Sequence, residues 1–291
     1  MTDASPWTIK RLLEWTTDYL KQHGASQPRL DAEVMLAHVR DCERIDLYAR
    51  FDEVPAGEPL DRFRAMVKER ALGKPVAYLV GYREFYSLPF RVTPDVLIPR
   101  PETEFLVVEA LDAAKRCEGP LRIADVGTGS GCVAVTLAKQ LPQAQITAID
   151  ISPEALAVAR ENAARHAVED RITFVESDLF ESVDASAAFE VIVSNPPYVG
   201  EQEQETLAPD VRKYEPHVAL FGGADGMAVI QRLVPAALAK LAPGGFLFFE
   251  LSPIIADVIE RRLRATPGLE YLGMRNDLDG HRRIAKVRKP A

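Results

Sequence analysis

Apolar positions recur at helical spacing through roughly the first 75 residues. Ile9, Leu12, Leu13, Tyr19 and Leu20 form one stripe that ends at Gly24, with Ser5 placed to cap and Pro6 suited to the first helical position. A second face runs through Leu30, Val34, Leu36 and Val39. A third uses Leu60, Phe63, Met66 and Val67, after the loop Glu53-Val54-Pro55-Ala56-Gly57. Three or four short amphipathic helices of this kind predict a small bundle over residues 1–75. Nothing in it looks catalytic, and a packing appendage and a partner-docking module fit it equally well. At 76–92 the period shortens. Val76, Tyr78 and Val80 alternate before Gly81, and Phe85, Leu88 and Phe90 follow, which predicts a β-hairpin linker over 76–100.

Within that linker Ile98-Pro99-Arg100-Pro101 is stiffened by two prolines, and Thr103-Glu104 can begin a helix over 105–114. Arg100 and Glu104 read equally well as solvated loop charges. From Leu121 onward, strand and helix patterns alternate, as in a parallel sheet covered on both faces. Strands are predicted at 122–126, 145–149, 172–176 and 189–194, with a helix over 132–140. Residues 101–291 therefore read as one α/β domain.

The turns at the ends of these strands carry the polar residues. Asp125-Val126-Gly127-Thr128-Gly129-Ser130-Gly131 joins a strand to a helix, where glycines let the backbone approach a ligand and the helix N-terminus offers N–H groups to an anionic group. Asp150 ends the next strand, roughly 20 residues beyond Gly131, the place from which a carboxylate accepts both hydroxyls of a ribose. The glycine spacing is G-x-G-x-G rather than the dinucleotide G-x-G-x-x-G, because Cys132 follows Gly131. Asp178, after the third strand, can accept from the exocyclic amine of a base with Leu179 and Phe180 covering its face, or can serve as an N-cap. The fourth strand ends in Asn195-Pro196-Pro197-Tyr198. There the Asn oxygen and backbone carbonyls held by two prolines form a rack of acceptors for a planar NH2 group, and Tyr198 adds an aromatic wall. An ordinary strand-to-loop exit has the same composition. All these groups fall at C-terminal strand ends, the edge where open parallel sheets bind ligands.

Composition narrows the setting. At 291 residues, 47% apolar and 27% charged, the chain resembles a soluble globular protein with room for one large or two modest domains. It has no run of 18 apolar residues and no basic-then-apolar N-terminus, so neither membrane insertion nor secretion is expected. Cys42, Cys117 and Cys132 and the five histidines lack metal-ligand spacing, so no metal is expected and the thiols suit a reduced, cytoplasmic setting. A formal charge of −8 argues against a broad duplex-binding face.

The motifs at 125–131, Asp150, Ser177-Asp178 and Ser194-Asn195-Pro196-Pro197-Tyr198-Val199 resemble those of class I S-adenosylmethionine-dependent methyltransferases. Tyr82-Arg83-Glu84-Phe85-Tyr86, Leu97-Ile98-Pro99-Arg100-Pro101-Glu102-Thr103-Glu104, Asp210-Val211-Arg212 and Tyr214-Glu215-Pro216 extend the resemblance over essentially the whole chain, to the PrmC/HemK family of release factor glutamine N5-methyltransferases. The resemblance implies a Rossmann-like α/β fold with a seven-stranded, mostly parallel sheet beside the helical domain. It implies S-adenosylmethionine as methyl donor, with S-adenosylhomocysteine as product. Gly127, Thr128, Gly129, Ser130 and Gly131 would line its methionine portion, Asp150 would take the ribose hydroxyls, and Asp178 and Leu179 would meet the adenine. Asn195 to Tyr198 would bind the substrate glutamine, with the Asn195 side chain and the Pro196 carbonyl accepting from its amide, and Asn195 also borders the cofactor. The implied partners are class-1 peptide chain release factors, through the Gly-Gly-Gln loop, with no membrane and no direct nucleic acid contact.

Two departures from the family pattern stand out. Glu250-Leu251-Ser252-Pro253 replaces a common Glu-x-Gly, and no role is carried over to it; Leu179 stands where some relatives have Trp. Three alternatives share parts of the pattern: a ribosomal-protein glutamine methyltransferase, a nucleic-acid amine methyltransferase and a cofactor-binding protein without catalysis.

Overall fold

The computed structural model describes residues 6–117 and 119–291. Two compact units divide the chain: the residues up to Tyr82 with Ala208–Tyr214, and Arg83–Leu207 with Glu215–Ala291.

The first unit contains α1 (Ile9–Gln22), α2 (Pro28–Val39), α3 (Arg44–Ala49), α4 (Glu58–Ala71) and α5 (Val76–Val80), together with the short helix Pro209–Tyr214. Ile9, Leu13, Leu20, Met35, Leu36, Leu47, Phe63 and Val67 form its core. The residue capping α1 is Thr8, whose hydroxyl accepts from Arg11 N at 3.3 Å; Pro6 precedes the helix, and Ser5 lies outside the described residues. Of the second predicted stripe, Leu36 and Val39 are buried while Leu30 and Val34 are only half-buried, with Ala32 and Met35 packing inward beside them. Two charged clusters hold the bundle. Arg70 donates to Asp31 at 2.8 Å, both being buried, and Glu33 accepts from Arg29, Arg44 and Tyr48.

The alternation at 76–80 is helical, so the hairpin is shorter than expected. Leu79 N bonds to Pro75 O at 3.2 Å, and Gly81, at φ 80°, ends the turn with a bond to Ala77 O at 2.8 Å. Three apolar residues at i, i+2 and i+4 satisfy one helical turn as well as one strand, and Gly81 closes the helix because it takes the left-handed conformation without strain. The hairpin itself is β1 (Tyr82–Phe85) and β2 (Leu88–Arg91), turning at Tyr86 and Ser87, both with positive φ.

In the second unit, α6 (Glu104–Ala114) precedes β3 (Leu121–Val126), α7 (Cys132–Gln140), β4 (Ala144–Asp150), α8 (Pro153–Arg165), β5 (Ile172–Glu176) and β6 (Phe189–Ser194). Then come α9 (Ala228–Lys240), β7 (Leu241–Glu250), α10 (Ala256–Ala265), β8 (Glu270–Asn276) and β9 (Arg282–Arg288). Among the described residues seven strands form one sheet in the order β5-β4-β3-β6-β7-β9-β8, parallel from β5 to β7 and antiparallel at β9 and β8. Both faces are buried, which explains the continuous apolar runs of the strands. Ile123, Ile146, Val191, Val193 and Phe248 pack with Val107, Ala110 and Leu137 on one side. Ala124, Ile149, Ile192, Leu247 and Phe249 pack with Ile230, Leu233, Ile259 and Leu263 on the other.

Candidate functional site

Strand order arranges the polar turns. Val126 pairs with Ile149 on one side and Ser194 on the other; Asp150 pairs with Glu176, and Ser194 with Phe249. Ser177-Asp178, Asp150, the glycine turn, Asn195 and Glu250 therefore stand in that sequence along one edge. A cavity of about 280 Å³ opens there, lined by Gly127, Thr128, Gly129, Ser130, Asp150, Asp178, Leu179, Asn195, Pro196 and Pro197. Arg100, Thr103, Asp125 and Arg232 also line it. Gly131 and Tyr198 are not on its wall.

The glycine turn is held from three sides. Gly127 N and Thr128 N bond to Ile149 O at 2.8 and 3.0 Å, and Gly131, at φ 77°, caps α7. A Cβ at Gly131 would meet that of Ala159 at 3.0 Å, so α8 needs a glycine there. Asp125, buried, accepts from Thr128 Oγ1 at 2.7 Å and from Ala134 N at 3.1 Å, tying the turn to α7. Burial, with Asp150 adding to it, pushes the Asp125 carboxyl up to about 7. Asn162 on α8, fully buried, donates to Ser130 O at 2.8 Å and to Arg91 O at 3.0 Å, and accepts from Arg91 N at 2.7 Å. One amide thus joins the turn to the hairpin.

Asp150 accepts from Gly129 N at 2.8 Å and Ser152 N at 3.0 Å. Burial raises its pKa against the pull of these N–H groups. Of the roughly four acceptor directions of a carboxylate, its backbone bonds leave at least one for an outside donor. Asp178 is paired with Arg232 at 2.7 Å, and the hydroxyl that accepts a backbone N–H at this turn is that of Ser177, from Ser182 N at 2.9 Å. Leu179 sits at φ 51°, a left-handed backbone that costs a leucine energy and turns its side chain at the cavity wall. Phe180 does not cover this cavity: it is buried in the core, 6.2 Å from the ring of Phe189.

The segment Asn195-Pro196-Pro197-Tyr198 is backed by chain that the sequence reading passed over. Val199 N bonds to Leu220 O and Gly222 N to Val199 O, both at 2.9 Å. Gly226, at φ 74°, lies so close that a Cβ would stand 2.2 Å from Tyr198 O. Asn195 Nδ2 donates to Thr103 Oγ1 at 3.1 Å, Thr103 Oγ1 donates to Glu250 Oε2 at 2.7 Å, and Tyr198 OH donates to Glu250 Oε1 at 2.7 Å. Burial pushes the Glu250 carboxyl up, opposed by the two hydroxyls and by Arg283. Burial also raises the Tyr198 phenol, and Glu250 adds to the shift. The two loop charges of the sequence reading are engaged as well. Arg100 donates to Glu215 at 2.5 Å, whose other oxygen takes Ile98 N at 3.2 Å, and Glu104 accepts Tyr86 N at 2.8 Å at the hairpin turn.

Thr103, Asp125, Asn162 and Glu250 carry this geometry; from sequence Thr103 is only a helix start and Asp125 only the head of the glycine motif, and Asn162 and Glu250 have no part. Glu250 had a visible signal: a lone carboxylate closing the apolar run Phe246-Leu247-Phe248-Phe249, at the same edge as Asp150 and Asn195.

The mostly parallel seven-stranded sheet, with a glycine turn, a carboxylate on the adjacent strand and an Asn-Pro-Pro-Tyr exit, agrees with the class that the relatives show, an S-adenosylmethionine-dependent methyltransferase of class I. Residues 11–81 match the family described as the PrmC N-terminal domain, and residues 102–211 the methyltransferase small domain. The chain is 47% identical to a release factor glutamine methyltransferase of Rhodopirellula baltica, over 99% of this chain and 98% of that one. It is 40% identical to one from Koribacter versatilis, over 97% and 99%. A methyltransferase structure from Pyrococcus furiosus shares the fold, with TM-score 0.51 and 20% identity over 79% of this chain and 99% of that one. The chain belongs to the release factor glutamine methyltransferase family.

The cavity's donor set suits the nucleoside and amino-acid ends of that cofactor. Asp150 offers a carboxylate and Ser130 Oγ is buried without a hydrogen-bond partner, while Gly127, Thr128, Gly129 and Gly131 spend their own N–H groups within the turn and on the adjacent strand, so that glycine there serves close backbone approach. Among the described residues no group of three or more His, Cys, Asp or Glu is placed to hold a metal ion, and no helix is long and apolar enough to cross a membrane.

Proposed function

We infer that this chain transfers a methyl group from S-adenosylmethionine to the side-chain nitrogen (N5) of the glutamine in the Gly-Gly-Gln loop of class-1 release factors, in support of translation termination in the cytoplasm. The observation that carries the reading is the juxtaposition of Asn195 and Pro196 with the glycine turn: Ser194 pairs with Val126, and its hydroxyl donates to Val126 O at 2.7 Å. The cofactor, when bound, supplies an electrophilic methyl group on a cationic sulfur. Gly127 to Gly131 receive its methionine portion, with Gly131 acting from behind the wall as the α7 cap, and Asp150 takes the ribose hydroxyls. Asp178, oriented by Arg232, and Leu179 take the adenine. No metal is required.

An amide nitrogen is a weak nucleophile because its lone pair is delocalised into the carbonyl. Asn195 Oδ1 and the Pro196 carbonyl accept the two N–H bonds of the glutamine, orienting the nitrogen and favouring a more tetrahedral geometry as it attacks. Pro197 fixes the path of the rack, and Tyr198 braces it from the core side. The amide proton becomes acidic as the N–C bond forms and leaves to water. Selecting one glutamine among many calls for contacts remote from the reacting amide, which we assign to the helical unit, residues 1–75, joined by the linker 76–100 to the catalytic domain 101–291.

The test is transfer of labelled methyl to a release factor, to its Gly-Gly-Ala variant and to duplex DNA. Label on the unmodified factor alone is expected, and label on DNA would overturn the assignment. N195A should lose about 100-fold or more in kcat and keep its affinity for S-adenosylhomocysteine by calorimetry. Loss of both together would refute this division of roles.

A further inference from the structure

We propose that Glu250 is a positioning residue that sets which end of the Asn195 amide faces the substrate. This rests on the reading of Asn195 as the amide acceptor. The argument is a count of protons. Thr103 has a single hydroxyl proton, and it is committed to Glu250 Oε2 at 2.7 Å. Towards Asn195 the Thr103 oxygen therefore offers only lone pairs, so the Asn195 group facing it at 3.1 Å must be the NH2. Oδ1 is left as the end that accepts. With the amide reversed, an NH2 would confront the NH2 of the incoming glutamine, donor against donor, and the rack would repel its substrate.

Glu250 performs this selection because a carboxyl oxygen that takes a hydroxyl proton only accepts, as Oε2 does from Thr103. Its other oxygen takes the Tyr198 hydroxyl at 2.7 Å, so the first and last residues of the Asn-Pro-Pro-Tyr segment are referenced to one buried side chain. Glu250 ends β7 and Asn195 follows β6, its parallel neighbour, whereas Thr103 arrives from the chain just before α6. The three segments are brought together by the sheet edge rather than by sequence proximity.

Replacing Glu250 by Gln keeps size and shape but adds a donor. A Gln NH2 turned to Thr103 frees the Thr103 proton to seek Asn195 Oδ1 and reverses the amide; turned to Tyr198, it donates to the phenol oxygen and takes from the phenol proton the acceptor it has in Glu250. Either way a hydroxyl proton that Glu250 accepts has to find another partner.

Steady-state methyl transfer to a release factor by the full-length chain tests this in E250Q, T103V, T103S, N195A and the double variant E250Q/N195A. Expected are kcat losses of about 10- to 100-fold in E250Q and T103V, with KM for the factor raised rather than lowered and affinity for S-adenosylhomocysteine unchanged within about twofold. T103S, which keeps the hydroxyl, should recover most of the activity lost in T103V. E250Q should cost nothing further in the N195A background, because both changes remove the same acceptor. Wild-type kcat in E250Q beside a dead N195A would overturn the proposal and leave the reading of Asn195 standing. A further full loss in the double variant, or a fall in cofactor affinity in step with kcat, would reduce Glu250 to a structural role. Full activity in N195A would instead remove the underlying reading. Should E250Q fail to fold, the T103V and T103S pair decides, and equal activity of those two overturns the proposal.

Discussion

Asn162 makes a quantitative prediction about the glycine turn. Its side chain is fully buried and satisfies three backbone groups, Arg91 N, Arg91 O and Ser130 O, at 2.7, 3.0 and 2.8 Å. Truncation in N162A strands all three from this partner, Ser130 O in a buried bond and the two Arg91 groups in part-buried ones. At about 1 kcal/mol for each stranded group, the low end of the range for buried polar atoms, the loss is about 3 kcal/mol. A water molecule entering the vacated space would restore part of it. For a unit of roughly 200 residues, about 3 kcal/mol corresponds to a fall in Tm of about 6–12 °C. N162D separates hydrogen bonding from volume. Its carboxylate can still accept Arg91 N, but it turns negative charge on the two carbonyls that Asn162 serves as a donor. At pH 8 it should therefore be less stable than N162A. Scanning calorimetry reads both variants, with titration of S-adenosylhomocysteine to follow the turn itself, whose Ser130 carbonyl is released. Both Tm values within about 2 °C of the parent, with unchanged cofactor affinity, would refute the claim that this amide ties the hairpin to the turn.

Asp125 gives a pH prediction. Its folded pKa is raised, from 3.8 to about 7, by burial first and by Asp150 in addition. A raised carboxyl means that the protonated form suits the fold, so its contribution is full below the unfolded value and is lost as pH rises through the folded one. The stability of the parent relative to D125N should therefore fall between pH 4 and 7 and level off above that; a constant difference across this window in chemical denaturation would refute it. G226A would drive a Cβ to 2.2 Å from Tyr198 O at a backbone φ of 74°. A kcat loss of at least about tenfold with cofactor affinity retained is expected, and wild-type kcat would show that the loop's backing does not position the rack. Deleting residues 1–75 should weaken binding to the release factor by at least about tenfold while barely changing cofactor affinity. Unchanged factor affinity in a calorimetric titration would discard the docking assignment.

The order of the elements and the motif residues were legible in the chain because each depends on neighbours a few positions away. A parallel strand buried on both faces is a continuous apolar run, as in Phe189–Ser194, and a turn before a helix N-terminus concentrates glycine. Both signals are complete within about ten residues. Period failed where it was too short to discriminate: Val76, Tyr78 and Val80 alternate over only five positions, and the helix was decided by Pro75 at its start and Gly81 at its end.

The brace behind the site was beyond any local pattern. Thr103 and Glu250 are 147 residues apart, Asn162 and Arg91 are 71 apart, and each pair meets only because the sheet runs β5-β4-β3-β6-β7 with α8 against the glycine turn. The chain by itself determined which chemical groups stand at strand ends, since that follows from backbone period and turn composition. Only the tertiary structure decided which of them share protons, because a buried carboxylate must find its donors wherever packing brings them, regardless of their distance along the chain.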